Sequence, residues 1–259
     1  MSFVNRNFTL IFAHPDDEIL WASSIIRLSD KVITCFMKSS NSNEVTEGRK
    51  KAFVDYPLVD AINLGIDEME LRKSADWRRP VFSRYGICDK SDLEKYRAKY
   101  HELYAAIKTL LRKNDVVITH NPWGEYGHEE HVLVYNVLAA LRSELKLEIY
   151  VTGYVSNRSC RAMDSRKSLL QQDPIIRETD QDAIDIISAH YKRYNAWTWW
   201  SDYIWPRYES FFLLGDVEAL SQSRSSGALM NNILFQEHYI DWKDVAKYVQ
   251  RKIRNIFKL

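Results

Sequence analysis

Two short stretches gather the side chains that can do chemistry. "AHPDDE" (13–18) sets His14, Asp16, Asp17 and Glu18 around Pro15, and "YGHEEH" (126–131) sets His128 and His131 three residues apart behind Tyr126. A proline followed by acids suits the first turn of a helix. A helix start, however, needs neither His14 nor two adjacent acids directly after an apolar run. A catalytic zinc site takes three protein ligands and keeps a fourth position open for water. His14 and Asp17 from the first stretch, with a histidine from the second, supply such a set. In a first helical turn His128 and His131 share a face. Each stretch alone has a bland alternative, an acidic helix start or an exposed histidine pair; two such stretches in equivalent places are harder to explain that way.

The elements around them must do the positioning. "FTLIFA" (8–13), "KVITCFM" (31–37), "INLGI" (62–66), "DVVITH" (115–120) and "LEIYVTGYV" (147–155) are short, apolar and rich in strand formers. Helical spacing runs through 18–28, 49–62, 93–113, the segment that opens at "EEH" (129–131), and 183–194. The alternation predicts an α/β fold with a mostly parallel sheet and helices on its faces. Both chemical stretches then follow strands, at the carboxyl ends where open parallel sheets form their sites. Residues 67–92 read as an excursion over the surface and part of a substrate lid, 156–185 are polar and mixed, and 196–215 are aromatic and then strand-like. There is no internal repeat, so a single domain over 1–259 is expected. Its extension, 216–259, ends in a basic amphipathic helix at 242–259.

The bulk numbers exclude some classes. A formal charge of +1 on 259 residues gives no global case for a nucleic-acid partner. Cys35, Cys88 and Cys160 have no C-x-x-C spacing, which points to reduced thiols and away from a cysteine metal site. The first apolar run is broken by "HPDDE", unlike a signal peptide, and no run reaches the roughly 18 residues of a membrane span; a cytoplasmic protein is expected. A dinucleotide site is disfavoured, because no G-x-G-x-x-G follows the first strand and the acidic loop there repels a pyrophosphate. Trp197, Trp199, Trp200 and Trp205 form either packing or a sugar-facing lip. The tail helix packs on protein or lies on an anionic membrane as a peripheral contact. The oligomeric state is left open.

Together "AHPDDE" and "YGHEEH" resemble the PIG-L/LmbE family of zinc-dependent N-acetylglucosaminyl deacetylases. "INLGIDE" and "YESFFL" are similar to two further family segments, so the likeness spans about residues 8–215. The resemblance implies a three-layer, Rossmann-like LmbE fold. It implies zinc, or another divalent metal, held by His14, Asp17 and His131. Asp16 corresponds to the general base, His128 to the histidine that supports the oxyanion or the leaving amine, and Tyr126 to an oxyanion-stabilising tyrosine. Arg49 and Asp67 are the implied substrate contacts. The chain also departs from the family: Arg49 is followed by Ala52 where an acid is usual, "AHYKRYNAW" lacks a Ser-Gln pair, and Glu129-Glu130 replaces Pro-Asp. Glu130 can orient a histidine from behind, and His120, which ends a strand, can do the same.

The reaction this implies is hydrolysis of the N-acetyl group of an amino sugar, whether a glycoside, a nucleotide sugar or a lipid-linked sugar. A bound metal polarises the amide and lowers the pKa of a water to about 7. Asp16 takes that water's proton and hands it to the amine, while Pro15 keeps Asp16 and Asp17 pointing apart. Two alternatives stand beside this: a non-catalytic carbohydrate-binding or scaffold protein of the same fold, and a hydrolase of a different amide.

Overall fold

The computed structural model describes residues 3–39, 42–69, 75–88, 90–171, 173–201, 203–215 and 234–235. In chain order the elements are β1 (Thr9–Phe12), α1 (Asp17–Ala22), β2 (Lys31–Lys38), α2 (Asn43–Ala52), β3 (Ala61–Asp67), β4 (Phe82–Ser83), β5 (Gly86–Ile87), α3 (Leu93–Leu110), β6 (Val116–Thr119) and α4 (Glu129–Leu145). Then follow β7 (Glu148–Thr152), β8 (Tyr154–Val155), α5 (Cys160–Arg166), β9 (Ile175–Glu178), α6 (Gln181–Arg193), β10 (Tyr208–Leu213) and β11 (Leu234–Phe235). The main sheet has seven strands in the order β3-β2-β1-β6-β7-β10-β9. The first five are parallel, and β10 runs antiparallel to both β7 and β9. This is the mostly parallel α/β architecture the alternation predicts.

Side chains of a strand alternate between faces, and here both faces are covered. Leu10 and Phe12 of β1 join Ile19 and Leu20 of α1 and Ile187 and Tyr191 of α6 in one core. Ile11, between them, joins Tyr96 and Leu103 of α3 and Leu133 and Leu138 of α4 in the other. Each fully buried Leu, Ile or Phe is worth about 1.5–3 kcal/mol, so the two cores together pin the register of β1. The order reverses at β1: the chain leaves towards β2 and β3 on one side and returns to β6 and β7 on the other. The crevice between the carboxyl ends of β1 and β6 is therefore the place for a site.

Several boundaries differ from expectation for local reasons. The helix expected over 18–28 is α-helical only to Ala22 and continues as a 3-10 turn, Ser23–Leu28. Glu209 takes the N–H and the hydroxyl of both Ser23 and Ser24, which withdraws those donors from the α pattern. The helix expected over 49–62 is α2, Asn43–Ala52, opened by Ser42, whose hydroxyl accepts from Val45 N at 3.2 Å. Pro57 lacks an N–H and cannot continue it. The expected surface excursion includes the β4–β5 hairpin and buries Trp77, Ile87 and Cys88 in the core. The strand expected over 147–155 is interrupted at Gly153, where a Cβ would lie 1.9 Å from Ser210 Oγ. The expected 242–259 helix lies outside the described residues. No helix among the described residues is long and apolar enough to cross a membrane.

The approach of α2 to the end of α6 is close enough to test. A Cβ on Gly48 would sit 2.1 Å from the Tyr194 carbonyl oxygen, a backbone atom that cannot swing away. Gly48→Ala is expected to cost about 1–3 kcal/mol through overpacking and to lower Tm by several degrees in thermal unfolding. An unchanged Tm would contradict this packing.

Candidate active site

The first loop leaves β1 and turns at Asp16, whose φ of 100° is left-handed. That conformation is uncommon for a residue with a Cβ and is tolerated best by Asp and Asn. It sends the two adjacent carboxylates apart, the divergence expected of Pro15. Asp16 Oδ2 accepts from the Thr198 hydroxyl at 2.6 Å, while Asp17 turns towards the histidines. Glu18 holds the turn from behind. It accepts from Asp16 N at 3.1 Å and from the hydroxyls of Tyr56 and Tyr191, both at 2.7 Å. Burial raises the Glu18 carboxyl to about 7 against the pull of the two tyrosines.

The second loop leaves β6 through Gly124 (φ 67°), Glu125 (φ 49°) and Gly127 (φ 92°). Glycine at 124 is also demanded by space, since a Cβ would meet the His128 carbonyl oxygen at 2.5 Å. The loop ends with His128 capping α4, its Nδ1 accepting from Glu130 N at 3.2 Å. Inside the loop the Glu125 carboxylate accepts from Asn121 N (2.9 Å), from the Thr152 hydroxyl, and from Nδ1 of His120 (2.9 Å) and of His131 (2.7 Å). Ala13 N–H donates to His120 Nε2 at 2.8 Å. That nitrogen must therefore offer its lone pair, and the hydrogen-bond network assigns the His120 proton to Nδ1.

The two loops meet over Asp17. His14 Nδ1 lies 3.2 Å from Asp17 Oδ2, and His131 Nε2 lies 3.3 Å from Asp17 Oδ1. The far nitrogen of each ring is tied to a carboxylate, His14 Nε2 to Glu130 at 2.7 Å and His131 Nδ1 to Glu125. This is the arrangement in which carboxylates orient metal-ligating imidazoles. His131 Nε2 is buried and has no hydrogen-bond partner, an orphan that a metal ion would satisfy. Potential ligand atoms of His14, His128 and His131, and of Asp17, His120 and His131, lie within 4.8 Å of one another. His120 is removed from that list by its bond from Ala13; it stacks on His131 instead, ring centroids 3.8 Å apart. The charges agree. Burial opposes a charge on His14, yet hydrogen bonds to Asp17 and Glu130 raise it to about 10. Burial likewise opposes the Asp17 carboxylate, yet the surrounding imidazoles hold it well below the usual range. The buried histidines and Asp17, which meet at His131, have the donor atoms and spacing to hold a metal ion.

The pocket at this cluster is lined by Asp16, Tyr126, His128, Thr198 and Trp199 together with Arg49, Glu68, Met69, Glu129 and Glu130. Arg49 is buried, and its NH1 pairs with Glu68 Oε1 at 2.5 Å; the acid absent at position 52 is supplied from another element. Asp67, expected as a substrate contact, corrects to an exposed residue paired with Lys38 at 3.3 Å. It does not line the pocket, whereas the next two residues, Glu68 and Met69, do. Trp199 packs edge-on against Trp21 and Tyr126, at 5.5 and 5.0 Å between centroids, while Trp200 is 41% exposed. The tryptophans thus divide between wall and surface. Among the residues that sequence reasoning missed, Glu125 stood inside the motif loop six positions before His131 and could have been weighed as its partner. Thr198 and Glu68 carried no local signal.

The family model described as PIG-L: GlcNAc-PI de-N-acetylase matches residues 9–141, just over half of the 259 residues. The chain belongs to this family. No curated protein matches it. Among solved structures it is similar to a deacetylase–bog complex from the biosynthesis pathway of teicoplanin, at 12% identity and a TM-score of 0.47, covering 74% of this chain and 84% of that one. It is also similar to the zinc-inhibited form of a teicoplanin deacetylase, at 12% identity and a TM-score of 0.46, with the same coverage.

Glu125 yields a prediction with two readouts. Burial pushes its carboxyl up, and His120 and His131 more than offset this, holding it at about 2, below its ordinary 4.5. A depressed folded pKa contributes stability that is complete above about pH 4.5 and lost as the pH falls towards 2. Glu125→Gln should therefore flatten the acid limb of the stability curve. It should also weaken divalent-metal binding roughly 10–100-fold by calorimetric titration. Wild-type metal affinity in this variant would remove Glu125 from the site.

Proposed function

We propose that the chain is a zinc-dependent hydrolase that removes the N-acetyl group from an N-acetylated amino sugar. The observation that carries this reading is a buried carboxylate, Asp16, that lines the same pocket as His14, Asp17 and His128 and is held there by the Thr198 hydroxyl. Membership of a de-N-acetylase family supports the same reaction class. Zinc, or another divalent ion in its place, supplies the positive charge that polarises an amide carbonyl and lowers the pKa of a water to about 7.

The chain's own residues supply the rest. Burial raises Asp16 to about 7, with the neighbouring Asp17 charge adding to it and the Thr198 hydrogen bond opposing it. A carboxylate near neutrality can take a proton from water and release it to a departing amine. Thr198 fixes which oxygen of Asp16 is left for that transfer. His128 Nδ1 accepts from Glu130 N, so in the neutral ring the proton sits on Nε2, ready to donate. Tyr126 lines the same wall, its ring 5.7 Å from His128. Donors of this kind, aimed at an oxygen that gains charge, are each worth roughly 3–4 kcal/mol. Arg49 stands across the pocket as the contact for the sugar, with Glu130 and Glu125 keeping His14 and His131 in their rotamers.

Acetate release from a panel of N-acetylglucosamine compounds tests this. Metal-loaded wild type is expected to release acetate from at least one member. Asp16→Asn should lower kcat roughly 10²–10⁴-fold with the metal content unchanged. Full activity in Asp16→Asn, or no release by wild type from any member, would overturn the reading.

A further inference from the structure

Among the described residues that line the pocket, five are carboxylic acids (Asp16, Asp17, Glu68, Glu129 and Glu130), and Arg49 is the one arginine or lysine. With Asp16 set aside as the proton-carrying group, the other four acids against a divalent ion and Arg49 still leave this lining negative by about one charge. Two further charges nearby cancel: Glu125 behind His131, and Arg158, whose NH2 lies 3.5 Å from Glu129 Oε1 on the solvent side.

Arg49 is already compensated. Its NH1 is paired with Glu68 at 2.5 Å, and its side chain is 3% exposed against 10% for Glu68, while its buried Nε has no hydrogen-bond partner. A phosphate drawn to the remaining guanidinium N–H groups would lie beside the nearly buried Glu68 carboxylate, whereas a neutral hydroxyl oxygen can accept there without that repulsion. Glu129 is the second obstacle. One of its oxygens is engaged by Trp77 Nε1 at 3.2 Å and by Arg158, and the other has no hydrogen-bond partner. An acceptor in that state suits a hydroxyl or ammonium donor and repels a phosphate oxygen.

We propose that the pocket selects against negative charge on its substrate: it takes N-acetyl amino sugars joined to a neutral or cationic group and excludes those joined to phosphate, with Glu68 and Glu129 as the specificity-determining residues. This rests on the deacetylase reading for the reaction and sharpens its substrate class. Discrimination here comes from a repulsive element as much as from an attractive one.

The test compares the methyl glycoside of N-acetylglucosamine with N-acetylglucosamine 1-phosphate on metal-loaded enzyme, by acetate release, and on metal-loaded Asp16→Asn, by calorimetric binding. A preference of roughly 100-fold for the neutral sugar is expected, narrowing with added salt because like charges are screened. Glu68→Gln and Glu129→Gln should each narrow it about tenfold, chiefly by admitting the phosphate. Equal or better use of the phosphate, failure of both sugars to bind, or a ratio unmoved in both variants would overturn the proposal. Preferential binding of the neutral sugar without acetate release would leave charge selection standing and remove the deacetylase reading, so the two fail separately.

Discussion

The Glu125 carboxylate sits where β6, β7 and the start of α4 converge, and the site is built around it. It is fully buried and accepts from a backbone N–H, a threonine hydroxyl and two imidazoles. A buried charge is tolerable only when it is this completely paired. The same bonds fix both rings. His131 must present Nε2 to the crevice, because its Nδ1–H is spent on Glu125. His120 must lie parallel to it, because its two nitrogens are pinned to Glu125 and to Ala13 N. The left-handed turn through Gly124, Glu125 and Gly127 is what lets one short loop deliver the carboxylate and then, six residues on, the histidine it orients.

Around that anchor the site concentrates like charges. Asp16 and Asp17 are adjacent in the chain, Glu18 follows, and Glu130 closes on His14. Each acid is answered differently: Asp17 by imidazoles, Glu130 by His14 and the Met69 N–H, Glu18 by two tyrosine hydroxyls, and Asp16 by the Thr198 hydroxyl with the charge of Arg49. Unequal compensation separates their protonation. Asp17 is held ionised, whereas Asp16 is left near 7. Two neighbouring carboxylates thus acquire different chemistry from their surroundings rather than from their type. The segment that holds Asp16 also carries Trp199, which walls the pocket against Trp21 and Tyr126, so the aromatic lip and the base share one support.

The outer acids extend that logic to the substrate. Arg49 and Glu68 come from different elements, α2 and the end of β3, and meet only because β3 lies beside β2 at the sheet edge. Their pairing converts the pocket's one arginine into a neutral unit. The acidic lining of the pocket draws on both sources: Glu129 and Glu130 come from the second motif, Glu68 from outside both.

The sequence by itself determined the sheet and the two loops that carry the clustered histidines and acids. "HPDDE" begins two residues after β1 ends and "HEEH" nine residues after β6 ends, so each loop leaves a strand's carboxyl end and brings its side chains to the crevice once the strands are parallel. Apolar runs and helical spacing located β1, β2, β3, β6, α3 and α4 for the same local reason. What the tertiary structure decided depends on contacts between residues far apart in the chain. Thr198 reaches Asp16 across 182 positions, Glu209 ends α1 across 186, and Glu68, just past the end of β3, pairs with Arg49 while Asp67 pairs with Lys38 at the surface. A motif records what the chain carries from turn to turn. Which carboxylate is held ionised, which is left near neutrality and which pairs with a cation follows from burial and from partners that only the folded chain brings within hydrogen-bonding distance.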